Sequence, residues 1–206
     1  MRTMLAARVA VTVVAFASGC QRPMSMPPSV SGPVAPGQPQ TENDGPPLAG
    51  CNPPGPLAAP AELPESLRTP AHARLFLRLR AEGKQIYRCQ QNPAGAWAFT
   101  LKAPDARLIS DGCREIGHHF AGPSWSLAGD GSVVVGKKVA EAPRVGSIPW
   151  LLLSGTSGSP GGTMNSVRFI QRVDTAGGLS PVEGCDQARA GQEVGVPYSA
   201  TYLYYH

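Results

Sequence analysis

Trp125-Ser126-Leu127-Ala128-Gly129-Asp130-Gly131-Ser132-Val133-Val134-Val135 decides the fold class. Two short runs of strand-forming residues flank Gly-Asp-Gly, whose glycines can take the positive φ that a tight hairpin needs. The same grammar recurs on both sides. Leu75-Phe76-Leu77-Arg78-Leu79-Arg80 alternates, with Leu75, Leu77 and Leu79 on one face and Phe76 with the two arginines on the other. Lys84 to Gln90 predicts a second strand, and Asn92-Pro93-Ala94-Gly95 turns it into Trp97-Ala98-Phe99-Thr100-Leu101. Further strands are predicted from Pro149 to Leu153, Val167 to Val173 and Tyr198 to Tyr205. No stretch of a dozen residues holds a 3.6-residue period without Gly or Pro interrupting it. The expectation is an all-β single domain over residues 62–206, a sandwich or barrel of short, mostly antiparallel strands.

Upstream, composition changes sharply. Twelve of the 22 prolines lie between Gln21 and Pro60, and no aromatic residue occurs from Ala17 to Leu75. Such a segment buries too little apolar surface to offset its ordering entropy, so residues 20–61 read as a disordered, proline-rich tether. Residues 1–19 read as a lipoprotein signal peptide. Arg2 and Arg8 supply a positive start, and Val9 to Ala17 form an apolar core too short to span a bilayer. Ala17-Ser18-Gly19-Cys20 then resembles a lipobox, with Ala17 where Leu is usual. Acylation of Cys20 with palmitate-like chains would anchor the protein to a membrane. Gln21, where Asp would signal inner-membrane retention, favours the outer membrane facing the periplasm. Cleavage after Ala15-Phe16-Ala17 gives the alternative, a secreted soluble protein.

Cys51, Cys89, Cys113 and Cys185 remain, an even number suited to disulfides in an oxidising compartment. Spacing alone leaves all three pairings open. No two of these cysteines have the short spacing of a structural zinc site, and no cofactor is expected. Formal charge is +4, from 18 basic and 14 acidic residues, and loss of Arg2 and Arg8 leaves +2. These charges are interspersed rather than gathered in a phosphate-binding stripe, which argues against nucleic acid as a partner.

Several blocks look familiar in order. Gln85-Ile86-Tyr87-Arg88-Cys89, Ile116-Gly117-His118-His119-Phe120-Ala121-Gly122-Pro123-Ser124-Trp125, Ile148-Pro149-Trp150-Leu151-Leu152-Leu153, Ile170-Gln171-Arg172-Val173, Gly184-Cys185 and Val196-Pro197-Tyr198 resemble the DUF3455 family of uncharacterised secreted proteins. The resemblance runs from about Leu63 to His206. It implies a Cys89–Cys185 bridge, which leaves Cys51 to pair with Cys113. The family has Glu where this chain has Ser126, so a catalytic role for that carboxylate finds no match here.

Candidate chemistry is sparse. Gly155-Thr156-Ser157-Gly158-Ser159-Pro160 resembles the nucleophile loop of chymotrypsin-like proteases, but the histidine context of such a triad is missing and a turn explains the same residues. Adjacent His118 and His119 would point to opposite faces of a strand, so they cannot readily share a metal. His119 is the candidate general base, with Asp111 or Glu115 to orient it; a structural hydrogen bond to backbone is the competing role. Tyr198, Ala200, Tyr202 and Tyr204 share one strand face. Either the tyrosines close the sheet with hydroxyls at its rim, or Tyr198 and Tyr202 line a pocket with Trp97, Trp125 and Trp150. The tail also resembles the terminal strand of outer-membrane barrels, but those need strands of about 9–11 residues, longer than most runs here. Two function classes follow. One is an envelope lipoprotein whose β-domain binds a small ligand or an envelope protein; the other is a secreted enzyme using His119 with a nearby carboxylate.

Overall fold

A computed structural model describes residues 47–206. Cys20, the signal-peptide reading and the tether up to residue 46 lie outside these residues. Eight antiparallel strands follow one another around a closed barrel: β1 (Leu75–Gln91), β2 (Trp97–Ile109), β3 (Glu115–Phe120), β4 (Ser124–Leu127), β5 (Val133–Arg144), β6 (Ser147–Ser157), β7 (Phe169–Gly177) and β8 (Glu193–Tyr205). Every strand pairs with its sequence neighbours, and β1 closes the ring on β8. Closure removes most of the free edges that an open sheet would leave. Of the two architectures the sequence allows, the chain adopts the barrel.

The strands are longer than their sequence runs suggest. The runs read as two strands, 75–80 and 84–90, form one strand of 17 residues. Gly83 looks like a break, yet it serves a close approach: a Cβ there would sit 2.1 Å from the Asp105 carbonyl oxygen of β2. Residues 115–120 form β3; Gly117 likewise lets the Ser126 carbonyl of β4 approach. The nucleophile-like segment begins as strand, since β6 runs through Ser157 before the chain bends. The alternation in β1 also slips once. A register shift between Leu75 and Leu77 turns Leu75 toward the outer layer while Phe76 packs inward beside Leu77.

Two apolar layers result. Inside the barrel, Leu79, Leu108, Trp125, Val134, Ile170, Tyr202 and Tyr204 form the main core. A 3-10 turn (Thr163–Ser166) seals one end by inserting Met164, and Asp130 fastens that turn. Its carboxylate accepts from the Ser132 N–H and hydroxyl and from the Thr163 N–H, which together hold its pKa well below the usual carboxylate range. Outside, Trp150, Leu152, Val173, Leu203 and Tyr205 are covered by Leu67 and the 3-10 turn Glu65–Leu67. Other outward positions carry paired charges. Arg107 and Arg80 pair with Glu82, and Arg88 and Lys102 pair with Glu193. A lipid-facing barrel carries an apolar band there instead.

Both disulfides are formed, Cys51–Cys113 and Cys89–Cys185, with Cα separations of 5.7 and 5.3 Å. Stable bridges of this kind belong outside the reducing cytoplasm. The first bridge falls within the span assigned to the tether. There the chain is tied to the barrel: Leu48 donates to the Cys113 carbonyl, and Arg78 donates to the carbonyls of Gly55 and Pro56.

Candidate functional site

The β3–β4 hairpin is shorter than the strands beside it. β3 pairs with β2 only from Ala106 to Ile109, and β4 pairs with β5 only at residues 133–135. Beyond these pairs, residues 97–105 of β2 and 136–144 of β5 flank a notch in the barrel wall. Gly122 and Pro123 of the hairpin turn form its sill. Pro104, which has no N–H to donate, lies just beyond the end of the β2–β3 ladder.

Behind the notch is a chamber of about 440 Å³ that reaches Trp125 and Tyr202 in the barrel interior. That size is in the range of small-molecule sites. Ile148, Leu151, Leu153 and Pro104 supply apolar wall; Gln85, His119 and Arg172 are its polar inner residues. Lys138 and Glu141 stand at the exposed rim, paired at 2.7 Å.

His119 is 2% exposed and stacks on Trp125, with ring centroids 4.4 Å apart, while Tyr202 meets it edge-on. Its Nδ1 lies 2.8 Å from the Ser124 carbonyl oxygen. A carbonyl only accepts, so Nδ1 carries the hydrogen and the neutral ring keeps its lone pair on Nε2. Burial pushes its pKa down to about 3; the charges of Arg172 and His118 add to this, and the Ser124 bond opposes it. His119 is therefore uncharged at neutral pH.

The other candidates disperse. Asp111 pairs with Arg78, Glu115 lies on the surface beside His118, and neither lines the chamber. His118 points to the opposite face from His119, as strand geometry requires, and pairs with Asp105. Among the pocket candidates, Trp125 and Tyr202 line the chamber. Tyr198 is buried in the same inner core. Trp97 packs beside Cys89 and Phe99, and Trp150 belongs to the outer layer under the Arg144 guanidinium. Among the described residues, no three His, Cys, Asp or Glu side chains gather as metal ligands.

The tyrosine hydroxyls are not at a rim. Those of Tyr198, Tyr202 and Tyr204 are buried without hydrogen-bond partners, as are Trp125 Nε1 and Gln85 Nε2. Burial raises the pKa of all three tyrosines. Gln85 and Arg172 were not singled out as site residues from the sequence. Alternation offered the signal: Gln85 follows Gly83 and precedes Tyr87 on one face, and Arg172 shares a face with Ile170. A polar residue at an inward position is the mark to look for.

No curated protein and no solved structure matches the chain. A family model described as a protein of unknown function (DUF3455) matches residues 110–206. That stretch takes in β3 to β8, and with them His119, Trp125, Arg172 and Tyr202, but not Gln85. The match supports the resemblance read from the sequence: over those residues this chain is similar to the DUF3455 family.

Proposed function

We propose that this chain is a cell-envelope lipoprotein whose barrel binds a small, largely apolar ligand in the chamber behind the notch. One observation carries the reading. Gln85 Nε2, Trp125 Nε1 and the Tyr202 hydroxyl belong to chamber-lining residues, and all three are buried with no partner. An unsatisfied buried group costs about 1–3 kcal/mol. A wall meant only to be packed would carry apolar groups at these positions, so polar residues around the chamber support a binding role. The signal features ending at Cys20 support the anchor, and Gln21 supports outer-membrane delivery.

The general-base reading of His119 draws no support from its surroundings. A base works best with a pKa near the operating pH, and burial holds this one at about 3. Its stacked, hydrogen-bonded ring instead shapes the chamber wall.

Native mass spectrometry of protein purified from the envelope tests the binding claim. The expected result is a bound small molecule that leaves on denaturation and whose occupancy falls in His119→Ala. A ligand-free spectrum under gentle conditions, with the fold intact, counts against it. The anchor is tested separately by Cys20→Ala, which should release the protein from membranes. A membrane pool that persists in that variant rules the anchor out.

A further inference from the structure

Most of the chamber's inner polar residues carry donors, beside the one acceptor lone pair on His119 Nε2. Gln85 Nε2 and Trp125 Nε1 can only donate hydrogen bonds, and a tyrosine hydroxyl can donate as well. None of these three has an acceptor within hydrogen-bonding distance, and each atom is closed off by its neighbours, the Tyr202 hydroxyl by Tyr198, Arg172 and Trp125. Arg172 lines the same wall, and its guanidinium donates twice to the Pro149 carbonyl, at 3.0 and 2.9 Å. No carboxylate pairs with Arg172 among the described residues. Arg172 lines the chamber from the face of β7 that it shares with Ile170 of the inner core. Tyr202 also has Trp125 as a polar neighbour, which brings the cation and two donors together.

The rest of the charge is already matched. Glu141, the one carboxylate among the lining residues described, is held at the rim by Lys138. Lys102 is held by Glu193. What remains is a half-buried cation in an apolar wall, with donors closed off behind it. Their complement is a ligand with one negative charge, several acceptor lone pairs and an apolar body. A carboxylate meets the first two needs with its two oxygens.

We propose that the chamber binds an amphipathic monocarboxylate, with its carboxylate against Arg172, which the Tyr202 hydroxyl neighbours, and its chain against Ile148, Leu151 and Leu153. This rests on the ligand-binding reading above and names its ligand class. Calorimetric titration of the processed chain with decanoate, decanol and decylamine tests it, because the three share one apolar body and differ in the head group. Decanoate should bind about tenfold or more tighter than decanol, the size of effect a charge-assisted hydrogen bond supplies. Decylamine should bind most weakly. Arg172→Met should reduce decanoate to the level of decanol and leave decanol almost unchanged, while Arg172→Lys should keep part of the preference. Because Arg172 also holds the Pro149 carbonyl, Tyr202→Phe serves as a second variant that keeps ring and charge. It should weaken decanoate several-fold and spare decanol. Equal binding of decanoate and decanol, or a preference that survives Arg172→Met, overturns the carboxylate proposal alone. Failure of all three probes to bind overturns the ligand-binding reading with it.

Discussion

The two faces of β7 and β8 use the same residue types to opposite ends. On the outer face, Gln171 donates from Nε2 to the Leu67 carbonyl at 2.8 Å, and the Tyr205 hydroxyl donates to Gln171 Oε1 at 2.6 Å. Glutamine and tyrosine are both satisfied there, under the cover of the 3-10 turn at Glu65–Leu67. On the inner face, Tyr198, Tyr202 and Tyr204 bury hydroxyls with no partner, and Gln85 of adjoining β1 does the same with its amide nitrogen. The outer contact clamps the N-terminal segment to the barrel. The inner one gives up stability in the core behind the chamber, with Gln85 and Tyr202 belonging to its wall. Buried polar groups that close on one another build structure, and those left open mark a surface kept for something else.

This contrast can be broken at its strongest point first. Replacing Cys51 and Cys113 by serine frees the segment that leads into the outer clamp. The sequence separation of 62 residues corresponds to about 4 kcal/mol of chain entropy, read as a lower urea midpoint; an unchanged midpoint would show the clamp holds without its bridge. Next in size, Gln171→Leu strands the Leu67 carbonyl and the Tyr205 hydroxyl, at a cost of about 3 kcal/mol. Adding Tyr205→Phe should recover part of that loss, and no recovery would mean the two groups are not coupled.

The third effect depends on pH. His119 falls from an ordinary 6.5 to about 3 on folding, so the unfolded chain takes up a proton that the folded chain refuses. Stability from this group is complete above pH 6.5 and is lost as pH falls toward 3, by about 2 kcal/mol between pH 7.5 and 5. His119→Phe should flatten the curve in that window. Asp130, depressed from 3.8, loses its contribution only at lower pH, so the two windows separate. A wild-type curve that is flat from pH 7.5 to 5 would refute burial of a neutral His119. The smallest effect is the most telling. Gln85→Leu should change stability by no more than about 1 kcal/mol, or raise it, because the amide nitrogen it removes has no partner. The same variant should lower ligand occupancy. A loss as large as that of Gln171→Leu would erase the distinction between the faces.

Much of the fold was legible in local pattern. The Gly129–Gly131 hairpin, the shared face of Tyr198, Ala200, Tyr202 and Tyr204, and the strand character of β6 to β8 follow from period and turn chemistry alone. Gly83 was misread because glycine marks both a turn and a close strand approach, and only the partner strand distinguishes them. The slip at Leu75 was hidden for a similar reason, since a bulge leaves the alternation of residue types intact while rotating the side chains. At the site, Trp125, Tyr202 and His119 stood out as aromatic or titratable residues. Gln85 and Arg172 did not, because each looks like an ordinary polar strand position until the barrel closes around it. Asp111 and Glu115 are near His119 in sequence, but β3 carries its outward and inward side chains to different surroundings.

The short β3–β4 hairpin has a second consequence. Where it stops, residues 97–105 of β2 and 137–144 of β5 are paired on one side only. Each therefore presents backbone donors and acceptors that a strand from another molecule could zip onto. Pro104 and Pro143 interrupt those ladders, and exposed Lys102, Lys137 and Lys138 would set their charges against a like edge brought up to them. Molecules crowded together would meet one another often. The notch is where such barrels could otherwise join into sheets, and two prolines and three lysines guard it.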